Sequence, residues 1–90
     1  MRRAKYSTQF KKDIKQAQKR GKDMAKLSAA MQLLTNRQIL PAILKDHPLK
    51  GEWKPHRDLH IEPDWLLIYY LPDDDTVHFE RTGTHSDLFK

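Results

Sequence analysis

The chain carries five histidines and no cysteine. His56, Asp58 and His60 alternate, so on a strand they would share one face. Asp64 follows a turn signal at Pro63. His47 stands beside Pro48, and His85 comes just after Gly83-Thr84. Imidazole has an unperturbed pKa of about 6.5, suited to giving and taking a proton near neutrality. Histidines and an aspartate set among lysines and arginines are what RNA cleavage without a metal needs. The RNA supplies its own nucleophile, the 2′-hydroxyl. The protein must deprotonate it, protonate the departing 5′-oxygen and hold charge on the phosphorane.

A metal centre is the competing chemistry. Without cysteine there is no Cys-ligated zinc, Fe–S cluster, disulfide or thiol nucleophile. On a regular strand His56 and His60 lie about 13 Å apart, too far to share an ion whose ligands sit at about 2 Å. Asp58 and His60 could share one only with partners from elsewhere. No metal and no cofactor is therefore expected. His56 and His78, taken alone, read as members of a solvated strand face.

The elements that must position these groups fall into two halves. Ser7 or Thr8 can cap a helix whose apolar stripe is Phe10, Ile14 and Ala17. Lys11, Lys12, Lys15, Lys19 and Arg20 lie off that stripe, and Gly21 suits the helix stop. Asp23 caps a second helix with Met24, Leu27, Ala30, Met31 and Leu34 inward, which makes an αα-hairpin. Residues 36–51, broken by Pro41, Pro48 and Gly51, read as a long ordered loop, and loops of that length are often functional. Trp53 to Glu62 alternates as a strand. Trp65 to Leu71 is nearly all apolar, as a strand covered on both faces would be. Pro72 to Asp75 is a turn, and Thr76 to Thr82 alternates again. With a short strand at Ala4–Tyr6 the order is β-α-α-β-β-β: an α+β domain with a helical hairpin packed on a mainly antiparallel sheet.

Ninety residues make one domain, 1–90, able to bury one compact core. Seventeen Lys and Arg against twelve Asp and Glu give a formal charge of +5. That balance gives solubility or fits an anionic partner. No stretch approaches the roughly 18 apolar residues of a membrane span, and the basic Met1-Arg2-Arg3 start lacks the apolar segment of a signal peptide. A cytoplasmic protein with no membrane partner is expected.

Several segments taken in order resemble a known family. They are Asp46-His47-Pro48-Leu49-Lys50-Gly51, Trp53-Lys54, Arg57-Asp58-Leu59-His60-Ile61-Glu62-Pro63-Asp64-Trp65, and Arg81-Thr82-Gly83-Thr84-His85 with Leu88-Phe89. Together with Gln16 to Arg20 and Lys22-Asp23-Met24 they look like the YafQ toxins, of the RelE-type branch of type II toxin–antitoxin systems. The resemblance implies a RelE-like fold and a ribosome-dependent endoribonuclease that cleaves mRNA in the A site and is silenced by a DinJ-like antitoxin. It places the cleavage groups on His47, His60, Asp64 and His85, with Asp58, Trp65, Arg81 and Phe89 in support. His85 is then the general acid and His47 a phosphate contact, while the base is His60 or Asp64. Arg81 either neutralises phosphate or braces Glu80 or the C-terminus. Contacts to RNA or the ribosome are expected from Lys11, Lys12, Lys15, Lys19 and Arg20, and from Lys45, Lys50, Lys54 and Arg57. His56 stands where relatives are expected to carry an aromatic.

Two other readings compete. One is a non-catalytic member of the same fold, either RNA-binding or a ParE-like toxin directed at gyrase, against which the full histidine set argues. The other is an interaction protein that holds an acidic partner on its basic surface.

Overall fold

The computed structural model describes residues 1–89 and follows the order β1 (Arg3–Tyr6), α1 (Thr8–Lys19), α2 (Met24–Thr35), β2 (His47–Pro48), β3 (Arg57–Glu62), β4 (Trp65–Asp73), β5 (Thr76–Gly83) and α3 (His85–Leu88). Both long helices start where the sequence offers a cap. The Ser7 hydroxyl accepts the Phe10 N–H at 2.8 Å, and the Asp23 carboxylate accepts the Ala25 N–H at 3.1 Å, each satisfying a donor the helix leaves open. Gly21 between them sits at φ +74°, the left-handed region that glycine enters at no steric cost.

The strands form one sheet in the order β1-β5-β4-β3-β2. Neighbours are antiparallel except β1, which runs parallel to β5 with Ala4 opposite Val77. The hairpin covers one face of the sheet. There Phe10, Ala17, Leu27 and Leu34 bury themselves against Leu59, Trp65, Leu67, Tyr69, Val77 and Phe79. Phe10 is fully buried and stacks on Phe79 at 5.8 Å, so truncation to Ala would cost about 3–5 kcal/mol. On the opposite face Leu66 and Ile68 of β4 are closed over by Leu88, Leu49 and Trp53. This second, smaller core is why β4 reads as a continuous apolar run.

The structure revises two sequence expectations and adds one element. The loop 36–51 contains a two-residue edge strand, β2, in which His47 pairs with Asp58 and Pro48 with Arg57. The third strand begins at Arg57, because Gly51–Trp53 makes a 3-10 turn before it. That turn, not strand alternation, sets Trp53, which packs on the same side of the sheet as Ile68. The segment after Gly83 is a short helix, α3, closed by a capping box: the Thr84 hydroxyl accepts the Asp87 N–H at 3.1 Å and the Asp87 carboxylate accepts the Thr84 N–H at 3.0 Å. Among the described residues no helix is long and apolar enough to cross a membrane.

Candidate active site

Four elements converge on the sheet face opposite the helical hairpin. Asp58 and His60 alternate along β3 and so point the same way. β2 lays His47 directly across from Asp58. The β3–β4 turn presents Asp64, and the first residue of α3 is His85. The three imidazoles stand in a row, with ring centres 6.0 Å apart from His47 to His60 and 5.8 Å from His60 to His85.

Each end of the row is anchored. At one end Asp64 Oδ1 accepts the His85 backbone N–H at 2.9 Å and lies 2.6 Å from His85 Nδ1. Those contacts, the backbone N–H first, hold the Asp64 carboxyl below its usual value of 3.8, so near neutrality it is an ionised acceptor. At the other end His47 Nδ1 bonds the Lys45 carbonyl at 2.9 Å. Asp58 Oδ1 lies 3.0 Å from the same nitrogen without a hydrogen bond to it. Asp58 is 3% exposed. Burial pushes its carboxyl above 3.8, opposed by the attraction of His47, His60 and His85. His60 Nδ1 is also buried without a partner. The centre of the row is thus a polar cluster with unspent hydrogen-bonding capacity, the kind of arrangement that marks a working site.

The sequence-derived groups His47, Asp58, His60, Asp64 and His85 are brought together here. Phe89 sits beside them, its ring 6.4 Å from His85 and 37% exposed. Trp65 does not join. It is buried on the helix face, where its Nε1–H donates to the Thr82 hydroxyl at 3.0 Å. Arg81 also turns to the helix face. It donates to Asp13 at 2.7 and 3.3 Å, and Asp13 in turn accepts the Thr82 N–H. Its brace is therefore Asp13, not Glu80 or the C-terminus.

Arg20 and Arg57, expected on RNA, are partly exposed and each pairs with a carboxylate of the fold. Arg57 donates to Asp46 at 2.8 and 3.2 Å, and Asp46 also accepts the Tyr69 hydroxyl. This fixes the chain next to His47. Arg20 pairs with Asp87 at 2.6 Å, tying the capping box of α3, and with it His85, to the end of α1. Lys11, Lys12, Lys15 and Lys19 on α1 are exposed, as are Lys45, Lys50 and Lys54 in the segment before β3. Asp46, Asp87 and Asp13 carry no role in the sequence alone. The Thr84-x-x-Asp87 spacing is a capping signal that would have found Asp87, whereas the partners of Asp46 and Asp13 are distant in the chain.

One atom each from His47, Asp58 and His60 lie within 4.8 Å of one another. The partner that Asp58 and His60 needed for a metal site is therefore supplied by β2. The set of two imidazoles and a carboxylate suits a transition metal.

The chain matches, over residues 2–90, the family described as "Bacterial toxin of type II toxin-antitoxin system, YafQ". It is 60% identical over 85 residues to the mRNA interferase toxin YafQ of Escherichia coli, covering 93% of this chain and 91% of that protein. Its fold superposes on the toxin in the crystal structure of the E. coli DinJ–YafQ complex with a TM-score of 0.91 at 57% identity, each chain covered fully. A metal-bound toxin from Helicobacter pylori is similar with a TM-score of 0.91 at 39% identity, over 99% of this chain and all of the other.

Proposed function

The chain belongs to the YafQ family of bacterial type II toxins, and we propose that it is an endoribonuclease that cuts mRNA in the ribosomal A site and is silenced by a DinJ-like antitoxin. The cytoplasm, where ribosomes and mRNA meet, is the place of action this implies. The observation that carries the reading is the pairing of His85 with an ionised Asp64, with the His85 ring 5.8 Å from that of His60.

Under this reading His60 takes the proton from the 2′-hydroxyl, and the 2′-oxygen attacks phosphorus. His85 gives a proton to the departing 5′-oxygen as the P–O5′ bond breaks. The products are a 2′,3′-cyclic phosphate and a 5′-hydroxyl. Asp64 is set aside as the base, because its contacts with His85 hold it below the usual carboxylate range and a weak acceptor removes protons poorly. Its role is to orient His85. The Asp58 carboxylate beneath His60 can balance the imidazolium that forms there, and His47 contacts the phosphate. A metal ion held by His47, Asp58 and His60 would polarise a phosphate oxygen as a Lewis acid, while occupying the groups that the acid–base route uses.

The test is to add the purified chain to translating ribosomes and map the new 5′ ends of the mRNA. Cuts confined to ribosome-bound codons, and abolished by a DinJ-like antitoxin, are expected. Equal cleavage of naked mRNA would contradict ribosome dependence, and no cleavage of either would contradict the nuclease reading.

A further inference from the structure

On the same sheet face, beyond Phe89, lies an open groove of about 580 Å³ lined by Glu52, Trp53, His56, Glu80, Leu88 and Phe89. None of these side chains moves a proton in the cleavage scheme above. Two are carboxylates. In a chain of charge +5 acting on a polyanion, carboxylates beside the cutting site repel the phosphate backbone. A nucleobase edge, which is neutral and carries N–H donors, is the part of RNA they can receive.

The walls suit a base. Trp53 meets Phe89 at 5.6 Å and His56 at 5.7 Å, both edge to face, and His56 packs on Tyr70 at 4.8 Å. Unstacked bases are held in this way, against aromatic faces with their edges hydrogen-bonded. Glu80 is fixed at the far end of the groove. Its Oε2 lies 2.7 Å from His78 Nε2 and 3.8 Å from His56 Nε2. His56 Nε2 is buried with no hydrogen bond. Among the described residues no hydrogen bond reaches Glu80 Oε1.

We propose that this groove holds the base on the 3′ side of the cut, and that Glu80 selects bases bearing an exocyclic amine (adenine, cytosine or guanine) over uracil. The inference rests on the nuclease reading above. Position follows from the acid. His85 serves the 5′-oxygen of the leaving nucleotide, and Phe89, the first wall of the groove, stands 6.4 Å from His85. Selection follows from the acceptor, since a carboxylate accepts hydrogen bonds and the only Watson–Crick donor of uracil, N3–H, is flanked by two carbonyl oxygens that a carboxylate repels, whereas an exocyclic amine extends clear of them.

Two measurements test it. The first is single-turnover cleavage on programmed ribosomes whose mRNAs differ only in the base 3′ of the cut, for wild type, Glu80→Gln and Glu80→Asp. Wild type is expected to favour an amine-bearing base over uracil by about tenfold or more. Glu80→Gln should narrow that ratio at least threefold, and Glu80→Asp should keep part of it. If Glu80→Gln slows all four substrates equally, Glu80 only supports the fold and the proposal fails. The second uses the chain alone and reads quenching of Trp53 fluorescence by short oligonucleotides with a 2′-deoxy sugar at the cut. Tighter binding of cytosine than uracil, lost in Glu80→Gln, is expected; equal binding overturns the groove assignment. Absence of any cleavage by wild type would instead contradict the nuclease reading, and the fluorescence comparison would still decide the groove.

Discussion

A single carboxylate oxygen, Asp64 Oδ1, receives both the backbone N–H of His85 at 2.9 Å and its ring Nδ1 at 2.6 Å. An ionised carboxylate can only accept, so Nδ1 carries a proton and Nε2 is the ring nitrogen left to meet substrate. Asp64 thereby orients the proposed acid, whose protonated Nε2 gives its proton to the leaving 5′-oxygen, without itself taking part in the proton transfer.

Asp64→Asn should therefore slow single-turnover cleavage on the order of 10²-fold, the scale of a misplaced catalytic group. Asp64 is exposed, so the fold and the affinity for antitoxin should be unchanged. Asp64→Glu, which keeps the acceptor, should recover part of the rate. A wild-type rate in Asp64→Asn would remove the orienting role.

Asp58 should trade stability for activity. Burial raises its carboxyl above 3.8, so the fold favours the neutral form and the ionised form costs stability at neutral pH. Below pH 3.8 the carboxyl is protonated in both states and the cost vanishes. Asp58→Asn should then stabilise the chain by about 1 kcal/mol at pH 7, with the gain fading as pH falls toward 3, while cleavage slows. Denaturant titrations across that range check the sign. A gain as large at pH 3 as at pH 7 would contradict it.

The His47–Asp58–His60 cluster predicts inhibition by metal. Added copper or zinc should slow cleavage, and His47→Ala, which removes one of the three ligands, should weaken that inhibition. Toxin stripped with a chelator before mixing with ribosomes should remain active. Loss of activity on stripping, restored by zinc, would reverse the assignment.

Charge on α1 should act through salt. Replacing Lys12 and Lys15 with Ala should lower the slope of log K against log salt for ribosome binding by about 0.7–0.9 for each phosphate left without its lysine. Arg57→Ala should leave that slope unchanged, because Arg57 is paired with Asp46, yet it should slow cleavage by loosening the segment that carries His47. A lower slope in Arg57→Ala would restore Arg57 to the RNA surface.

The helices are legible in the sequence because their caps and stripes are local: Ser7 with Phe10, Asp23 with Ala25, Gly21 between them. The open cluster of the site is legible in part. Alternation places Asp58 and His60 on one face, but the pairing of His47 with Asp58 depends on a two-residue strand that carries no periodic signal. The sequence shows the charge of Arg20 and Arg57 but not the carboxylates they pair with. Asp87 and Asp46, the partners, lie 67 and 11 residues away. The sequence does not show that Trp65, which the resemblance gives as a supporting residue, packs on the helix face, because its partner Thr82 is 17 residues away.

The most direct test of the central claim exploits the leaving group. An mRNA with sulfur in place of the bridging 5′-oxygen at the cut needs no general acid, because a thiolate departs unaided. On the ordinary substrate His85→Ala should cleave about 10²–10⁴-fold more slowly than wild type in single turnover. On the 5′-thio substrate the same variant should recover to near the wild-type rate, while His60→Ala, lacking the base, should stay slow. Equal slowing of His85→Ala on both substrates would contradict the assignment of His85 as the acid, and with it the proposed mechanism.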